Sequence, residues 1–353
     1  MMQMLSIPLT AHHIRFTVRT VTPLRFGDFK GSALRGAFTN ILGDTFCPEW
    51  RSGQRDPHHQ AICPACQLVA LERDESTSGD VRRPYAITPP PGAQADFAPG
   101  ETFAFGMTLF GDALHYLPYL VLAVGGMGER GIGQRVAATS GQPQRGRFVV
   151  ERIDAVNPFS GQILPMMEPG HTMVQGDTLP VLHAQVLAVA EQMTQELTSP
   201  TPTSPRDHFM HGGENLLRVD FLTPTRITKG NETWKQPDFF AFGKQTVLRV
   251  MDLAAQHGGG RPTIDGQPLE LRTHIYPYLD QVTLVENHTH WWDLAGYSAR
   301  VGRKQQIGGL VGSARYHAAD WRPLLPWLLW GMSTQVGKNV VKGCGVFQAA
   351  VDN

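Results

Sequence analysis

The sequence predicts an α+β protein made of two similar halves, and three observations support this fold class. First, the segment Val21–Arg25, with Lys30-Gly31 shortly after it, resembles Leu222–Arg226, which Lys229-Gly230 follows. Second, each copy lies between a strand pattern and a helix pattern. Third, each half ends in a glycine-rich segment. A unit of strand, helix and late glycine loop is therefore expected twice.

The strands and helices of this unit follow from hydrophobic periodicity. Alternating apolar and polar residues predict strands at His13–Val18 and Leu217–Phe221. A helical pattern follows at Gly31–Leu42 in the first half and at about Asp238–Ala255 in the second. Asp238 is a residue type favoured as an N-cap. Both halves thus open with a strand that leads into a helix.

The glycine-rich segments are Gly125–Gly133 and Val336–Gly345, and each follows a stretch with a helical pattern, Leu117–Val124 and Leu324–Met332. A single segment of this kind would be interpreted as an ordinary helix end and turn. Two matching segments favour loops whose bare backbone approaches phosphate and offers amide donors. Neither is a Walker sequence, which argues against nucleotide hydrolysis.

Length and composition predict two globular domains in the cytoplasm. The chain has 353 residues, 41% hydrophobic and 18% charged, which is enough apolar material for two cores. We expect an N-terminal domain at 1–185 with a Cys/His-containing insertion at about 44–82, a helix and Pro/Thr/Ser-rich linker at 186–214, and a C-terminal domain at 215–353. No apolar run of about 18 residues and no signal peptide is visible, so no membrane partner is expected.

Net charge restricts how such a chain could bind nucleic acid. The 31 basic and 31 acidic residues cancel, so nucleic-acid binding would have to come from local basic patches.

A cysteine and histidine cluster in the insertion has spacing that suits zinc. Three cysteines follow the pattern Cys-x15-Cys-x2-Cys, and two histidines lie between the first and the second. One imidazole would complete a closed four-ligand structural site. The candidate ligands are Cys47, Cys63, Cys66 and His58 or His59. The set is one thiolate short of an all-cysteine site, so the sequence leaves zinc binding open, and Cys344 is expected only to pack.

Eight short segments, each weak alone, follow one another along nearly the whole chain in a recognisable order. They are Lys30–Phe38, Arg83–Tyr85, Pro99–Glu101, Leu109–Gly111, Gly131–Gly133, Phe221–Arg226, Gly308–Gly312 and Val336–Lys338. Together they resemble the CRISPR-associated RAMP endoribonucleases that cut repeat RNA into guide RNAs, in the branch with the longer two-domain form.

The resemblance implies a fold, an activity and partners. The fold would be tandem ferredoxin-like (RRM-like) domains with glycine-rich loops. The protein would bind CRISPR repeat RNA and cleave precursor CRISPR RNA by metal-independent 2′-hydroxyl attack, leaving a 2′,3′-cyclic phosphate. No cofactor would be required for catalysis. The protein could stay bound to the guide RNA, with other CRISPR effector subunits as further partners.

Departures from the family pattern favour an alternative. Many relatives have His, Gly and Phe where this chain has Gln335, Asn339 and Lys342. Relatives often place a catalytic histidine on or near the first helix, and Gly31–Leu42 contains none. The alternative is a catalytically inactive RAMP subunit that binds guide RNA structurally. A two-domain enzyme acting on small molecules is disfavoured, because no nucleophile elbow, dinucleotide fingerprint or His-Glu-x-x-His pair is present.

Candidate site residues follow from the chemistry that RNA cleavage needs. The attacking 2′-hydroxyl belongs to RNA, so the protein has to position it, accept a proton and stabilise charge. We expect proton transfer by His257, His317 or Tyr297. The predicted RNA-binding residues are Lys30, Arg35, Arg300, Arg303, Lys304, Gly337, Lys338, Lys342, Gly343 and Gly345.

Overall fold

The computed structural model describes residues 4–52, 56–70, 81–137, 142–198, 215–229, 232–298 and 303–352. The first half contains β1 (Leu5–Ser6), β2 (Ala11–Thr20), β3 (Leu24–Arg25), α1 (Lys30–Phe46), α2 (Pro57–Ile62), β4 (Tyr85–Thr88), β5 (Asp96–Phe97), β6 (Thr102–Phe110), α3 (Leu117–Arg130), β7 (Ile132–Val136), β8 (Gln144–Gly146), β9 (Phe148–Val156) and β10 (Ile163–Met167). Short helical turns occur at Cys66–Ala70 and Gly111–Tyr116.

The second half begins with a long helix. Its elements are α4 (His183–Thr198), β11 (Leu216–Thr225), β12 (Thr228–Lys229), β13 (Glu232–Thr233), α5 (Phe239–His257), β14 (Thr263–Ile264), β15 (Gln267–Pro268), α6 (Leu271–His274), α7 (Tyr276–Leu279), β16 (Thr283–Trp292), β17 (Ala295–Ser298), β18 (Arg303–Gln306), β19 (Gly309–His317), α8 (Leu325–Thr334) and β20 (Phe347–Val351). A short helical turn at Val340–Lys342 precedes β20. Within the described ranges, no helix is both long and apolar enough to cross a membrane.

Apart from the additional edge strand β10 in the first, the two main sheets share one topology. The first has the strand order β10-β9-β2-β6-β4, and the second has the order β16-β19-β11-β20, with every neighbouring pair antiparallel. Along the chain, each half runs strand, helix, strand, strand, helix, strand, with α1 and α3 in the first and α5 and α8 in the second. The predicted α+β fold with tandem ferredoxin-like domains is confirmed.

The predicted elements at the start of each half are present. Strands β2 and β11 include the predicted segments, and α1 runs four residues beyond its predicted end. The carboxylate of Asp238 accepts a hydrogen bond from the backbone N–H of Ala241 at 2.8 Å, so the predicted N-cap of α5 is confirmed.

The glycine-rich segment of the first half is not the loop that the sequence predicted. Gly125, Gly126 and Gly128 lie inside α3. A Cβ on Gly126 would lie 2.8 Å from the Ile41 side chain, and one on Gly128 would lie 2.2 Å from the Phe148 carbonyl oxygen. The prediction was wrong over this part of the segment because close packing of α3 outweighs the low helix propensity of glycine.

The helix expected to open the linker packs as part of the second half. Val186, Ala190, Met193 and Leu197 of α4 are buried in the same core as β11, α5 and α8. The Pro/Thr/Ser-rich stretch that follows lies outside the described residues. Strand β1 pairs with β14, so the N-terminal residues also join the second half. The two halves are therefore connected through several contacts as well as through the chain.

Candidate functional site

The C-terminal glycine loop of the second half packs against the first half, and we call this contact the α1–loop junction. It consists of α1, β4 and residues 335–345. A Cβ on Gly31 would lie 1.9 Å from the Lys342 carbonyl oxygen, so only glycine allows this approach. The side-chain amide of Gln335 donates a hydrogen bond to the Ile87 carbonyl oxygen at 2.8 Å. Residues of both halves therefore form one surface here.

Much of the loop's backbone is already hydrogen-bonded, either within the loop or to the end of β11 and the residue after it. The N–H groups of Gly343, Gly345 and Lys338 donate to the carbonyl oxygens of Val340 (2.7 Å), Pro224 (3.1 Å) and Arg226 (2.9 Å). The amides of Gly343 and Gly345 are therefore engaged within the protein, and a predicted contact of these glycines with RNA would have to compete with these bonds. A Cβ on Gly337 would lie 2.4 Å from the Arg226 carbonyl oxygen, so this glycine also serves backbone packing.

Two cations lie close together at the junction. Arg35 follows Gly31 by one helical turn and so lies on the same face of α1. Burial, and then the nearby charge of Arg35, lower the pKa of Lys342. The Lys342 ammonium donates a hydrogen bond to Gln305 Oε1 at 2.8 Å. Among the described residues neither cation forms an ion pair with a carboxylate, so the junction would attract an anion.

Polar atoms buried beneath Arg35 extend the site. Arg35 Nε, Thr39 Oγ1 and the Tyr85 hydroxyl are buried, and none makes a hydrogen bond of ordinary geometry to a described residue. Burial raises the pKa of Tyr85, which the charges of Arg35 and Arg83 oppose, so the hydroxyl stays protonated near neutral pH. The Tyr85 hydroxyl lies close enough to Thr39 and Arg35 for the three side chains to interact, so they form one polar cluster. Sequence analysis gave Thr39 and Tyr85 no role. Tyr85 belongs to the segment Arg83–Tyr85, and Thr39 directly follows the segment Lys30–Phe38.

Lys30 has a different environment from the one expected. Its ammonium donates to the carbonyl oxygens of Pro90, Pro91 and Gly92 at 3.1, 3.1 and 2.7 Å. Those bonds use all three hydrogens of the group. Lys30 therefore ties the segment after β4 to the start of α1, and its predicted contact with RNA would have to compete with these bonds.

The predicted basic segment forms a hairpin beside the junction. Strands β17 and β18 pair, with Tyr297 opposite Lys304 and Ser298 opposite Arg303 in the backbone register. Arg300 lies outside the described residues. The base of the hairpin contributes to a buried apolar cluster of Phe29, Leu294, Ile307 and Cys344. Cys344 packs there, as expected, and the cluster joins the hairpin to the residue before α1.

Neither predicted histidine lies at the α1–loop junction. His257 ends α5, and its Nε2 donates to the Arg82 carbonyl oxygen at 2.8 Å. Burial is the main cause that lowers the pKa of His257. His317 is exposed at the end of β19, about 26 Å along the strand from Gly309 at a rise of roughly 3.3 Å per residue. Their catalytic roles stay predictions. Lys338 is exposed on the loop itself.

A second candidate site lies in the insertion after α1. The ligand atoms of Cys47, His59, Cys63 and Cys66 all lie within 4.8 Å of one another. Cys47 Sγ is 3.8 Å from Cys66 Sγ and 3.3 Å from His59 Nε2. Tetrahedral zinc with Zn–S bonds of about 2.3 Å separates two sulfurs by about 3.8 Å. The geometry therefore fits zinc.

The surroundings of this cluster distinguish the two candidate histidines. His58 is exposed, whereas His59 is part-buried and its Nδ1 lies 3.9 Å from Glu49 Oε1. A carboxylate on the far side of a ligating imidazole is a common outer-shell arrangement. Burial raises the pKa of Cys66 to about 12, so the thiol is protonated in the absence of a cation. His59 is therefore the candidate ligand.

Comparison of the sequence with protein families gives two matches. Residues 219–347 match the family model of the CRISPR-associated endoribonuclease Cas6, and residues 9–179 match AF_1859_N, an N-terminal domain family. No curated protein matches the chain in sequence.

Solved structures are similar over nearly the whole chain. Thermus thermophilus Cas6 has a TM-score of 0.51 and 12% identity, covering 97% of this chain and 98% of that chain. A product complex of the same protein gives 0.50 and 13%, covering 96% and 99%. A partial Cas6-RT-Cas1–Cas2 complex gives 0.56 and 9%, covering 99% of this chain and 47% of that chain. At these identities the likeness establishes the fold. Together with the family match, it confirms the predicted resemblance to CRISPR repeat-processing RAMP proteins.

Proposed function

We propose that this chain binds CRISPR repeat RNA at the α1–loop junction and cleaves precursor CRISPR RNA there by attack of a 2′-hydroxyl on the next phosphate. The products would carry a 2′,3′-cyclic phosphate, and no metal would take part. The observation that carries the proposal is the pair of adjacent cations, Arg35 and Lys342, where the two halves meet. The Cas6 family match over residues 219–347 supports the substrate class.

The junction would contribute mainly positioning and charge. RNA supplies its own nucleophile, so holding the 2′-hydroxyl in line with the phosphate removes much of the barrier. Arg35 and Lys342 would stabilise the charge that develops on the phosphate oxygens. Their mutual repulsion makes an anion between them favourable. Lys338, exposed on the same loop, would bind the RNA backbone farther along.

Of the predicted proton-transfer residues, His257 and His317 lie away from the junction, so Tyr297 is the one assigned to proton transfer there. Tyr297 is supported by its hairpin, which is held to the junction through the bond from Lys342 to Gln305. A phenol hydrogen-bonded to the reacting oxygens can act as the group that transfers a proton.

The alternative is a RAMP subunit that binds guide RNA without cutting it, and two observations favour it. Gln335 stands where many relatives have a histidine, and its side-chain amide is engaged with the Ile87 carbonyl oxygen. Helix α1 also contains no histidine. A subunit of this kind would remain in an effector complex with its RNA.

Incubation of the purified chain with its own repeat RNA separates the two proposals. Cleavage in EDTA, with a cyclic phosphate on the product, is the expected result. Deoxyribose 5′ of the cut should abolish cutting and leave binding nearly intact, because one hydroxyl contact is small beside many phosphate contacts. Circular dichroism in EDTA shows whether the fold survives chelation. Intact RNA bound to folded protein would support the non-cleaving subunit instead.

We further propose that Cys47, His59, Cys63 and Cys66 hold a structural zinc. The metal would tie the insertion to the end of α1. Metal analysis of protein purified without added zinc should give close to one equivalent per chain, and the Cys66→Ser variant should lose it. Cys344→Ser, which changes a buried cysteine outside the cluster, is the matched control and should retain zinc. Less than about a tenth of an equivalent in the unaltered protein would contradict the proposal.

A further inference from the structure

Strand β16 ends with two tryptophans at the edge of the α1–loop junction. Successive side chains of a strand point to opposite faces of the sheet, so Trp291 and Trp292 lie on different sides. Trp292, paired with Gly309 of β19, is 39% exposed. An indole with this exposure at the end of a strand is available to a ligand.

The exposed indole is held in place by the first half. Its ring meets the ring of Phe29 edge to face, with centroids 6.2 Å apart and an interplanar angle of 89°. Phe29 precedes α1 and belongs to the buried cluster with Leu294, Ile307 and Cys344. The ring is thus positioned before any ligand arrives, which keeps the entropic cost of binding low.

Cations flank the same strand end. On the other side of the sheet, the Arg226 guanidinium lies 5.7 Å and the Lys235 ammonium 5.8 Å from the centroid of Trp291. Arg226 also accepts, through its carbonyl oxygen, the backbone hydrogen bond of Lys338. The strand end is therefore fixed to the glycine loop and bordered by positive charge.

A positioned, exposed aromatic ring suits a nucleobase, and the cations on the opposite side of the strand end suit the phosphates of the same nucleic-acid chain. Asp293, the next residue, is exposed and repels phosphate, which favours a base rather than a phosphate against the indole. A base inside a duplex is already stacked on both faces, whereas an unpaired base offers a free face. We infer that Trp292 stacks on an unpaired base of RNA whose backbone passes through the α1–loop junction. This inference rests on the proposed function.

The experiment compares variants of Trp292 on intact repeat RNA and on RNAs with one abasic position each. Trp292→Ala should weaken binding by about 5- to 150-fold, the range for loss of one stacked base, and Trp292→Phe should stay within about threefold of the unaltered protein. Trp292→Leu keeps an apolar contact with Phe29 but lacks a flat ring, so its binding should weaken by the same roughly 5- to 150-fold. This variant tests the inference independently of whether Trp292→Ala folds. Tyr278→Ala, which removes a ring that is 37% exposed on α7, is the control and should bind normally.

The abasic series identifies the base. For one abasic position, the unaltered protein should lose as much affinity as Trp292→Leu loses on intact RNA. Trp292→Leu should lose little further affinity on that abasic RNA. Equal binding by the unaltered protein and Trp292→Leu across the series would overturn the inference while leaving the proposed function intact. Failure of the unaltered protein to bind repeat RNA at all would reject the proposed function itself. If Trp292→Leu bound RNA normally but no longer associated with another CRISPR effector subunit, Trp292 would be assigned to a protein contact and the inference would be overturned.

Discussion

Arg35 and Lys342 are two like charges that the fold brings together from opposite ends of the chain. Since neither has a carboxylate partner among the described residues, their repulsion is relieved when an anion binds between them. We expect Arg35→Ala and Lys342→Ala each to slow RNA cleavage by about 100-fold or more, the usual loss when one donor to a developing anion is removed. Single-turnover cleavage rates measure this.

Arg322→Ala is the control, because Arg322 is exposed and bonded to Asp320 at 2.8 Å. Rates within a few-fold of normal would exclude both residues from the reaction.

The pH dependence of RNA binding tests Lys342 separately. Because burial and Arg35 lower the pKa of Lys342, its ammonium loses its charge at a lower pH than an ordinary lysine does. Affinity for RNA should therefore decline on raising the pH before ordinary lysines titrate. Lys342→Arg should bind RNA with little change over the same range, because a guanidinium keeps its charge there. Binding titrations at several pH values above neutrality compare the two proteins. Parallel declines would mean that some other group causes the effect.

At the scale of elements, two glycines of α1 allow the docking of the C-terminal glycine loop to be tested separately from the stability of the helix. A Cβ on Gly31 would collide with the loop, whereas one on Gly36 would meet nothing within 4 Å. Gly36→Ala should raise the unfolding free energy by up to about 1 kcal/mol, the difference in helix propensity. Gly31→Ala gains the same propensity but displaces the loop, so it should lower cleavage strongly. Urea unfolding and cleavage rates measure both effects. Equal activity of the two variants would show that the loop's position is unimportant for cutting.

Helix starts and strands could be predicted from local patterns, since Asp238 and the alternation in β2 act through neighbouring residues. The role of glycines could not. Gly126 in α3 and Gly337 in the loop both occur in glycine-rich segments, and only the distant Ile41 side chain and Arg226 carbonyl distinguish packing inside a helix from a turn. The pairing of Arg35 with Lys342 is likewise invisible in sequence, because it depends on how the two halves dock.

At the scale of the whole molecule, the part-buried His13 joins the two halves, and the part-buried His183 joins α4 and β1 to α8 within the second half. His13 of β2 hydrogen-bonds through Nε2 to Ser333 Oγ of α8 at 3.1 Å and through Nδ1 to Thr108 Oγ1 at 2.9 Å. His183 of α4 accepts a hydrogen bond from the Trp330 indole at 3.2 Å and bonds to the Leu5 carbonyl oxygen. At neutral pH both rings are uncharged in the folded protein, because burial lowers the pKa of each.

This arrangement predicts that acid weakens the folded protein. Burial, with a smaller contribution from His12, lowers the pKa of His13 to about 4 from an ordinary 6.5. Below pH 6.5 the unfolded chain takes up a proton at His13 that the folded protein takes up only near pH 4, so stability falls as the pH falls between these values. The loss attributable to His13 is at most about 3 kcal/mol, since one pKa unit corresponds to about 1.4 kcal/mol. Urea unfolding at pH 7.5 and pH 4.5 measures it.

His13→Gln can retain bonds to both hydroxyls but does not titrate, so its stability should depend less on pH by about that amount. His171→Gln, which changes an exposed histidine, should keep the full dependence of the unaltered protein. If His13→Gln also kept that full dependence, acid sensitivity would have to arise from other groups at the contact between the halves.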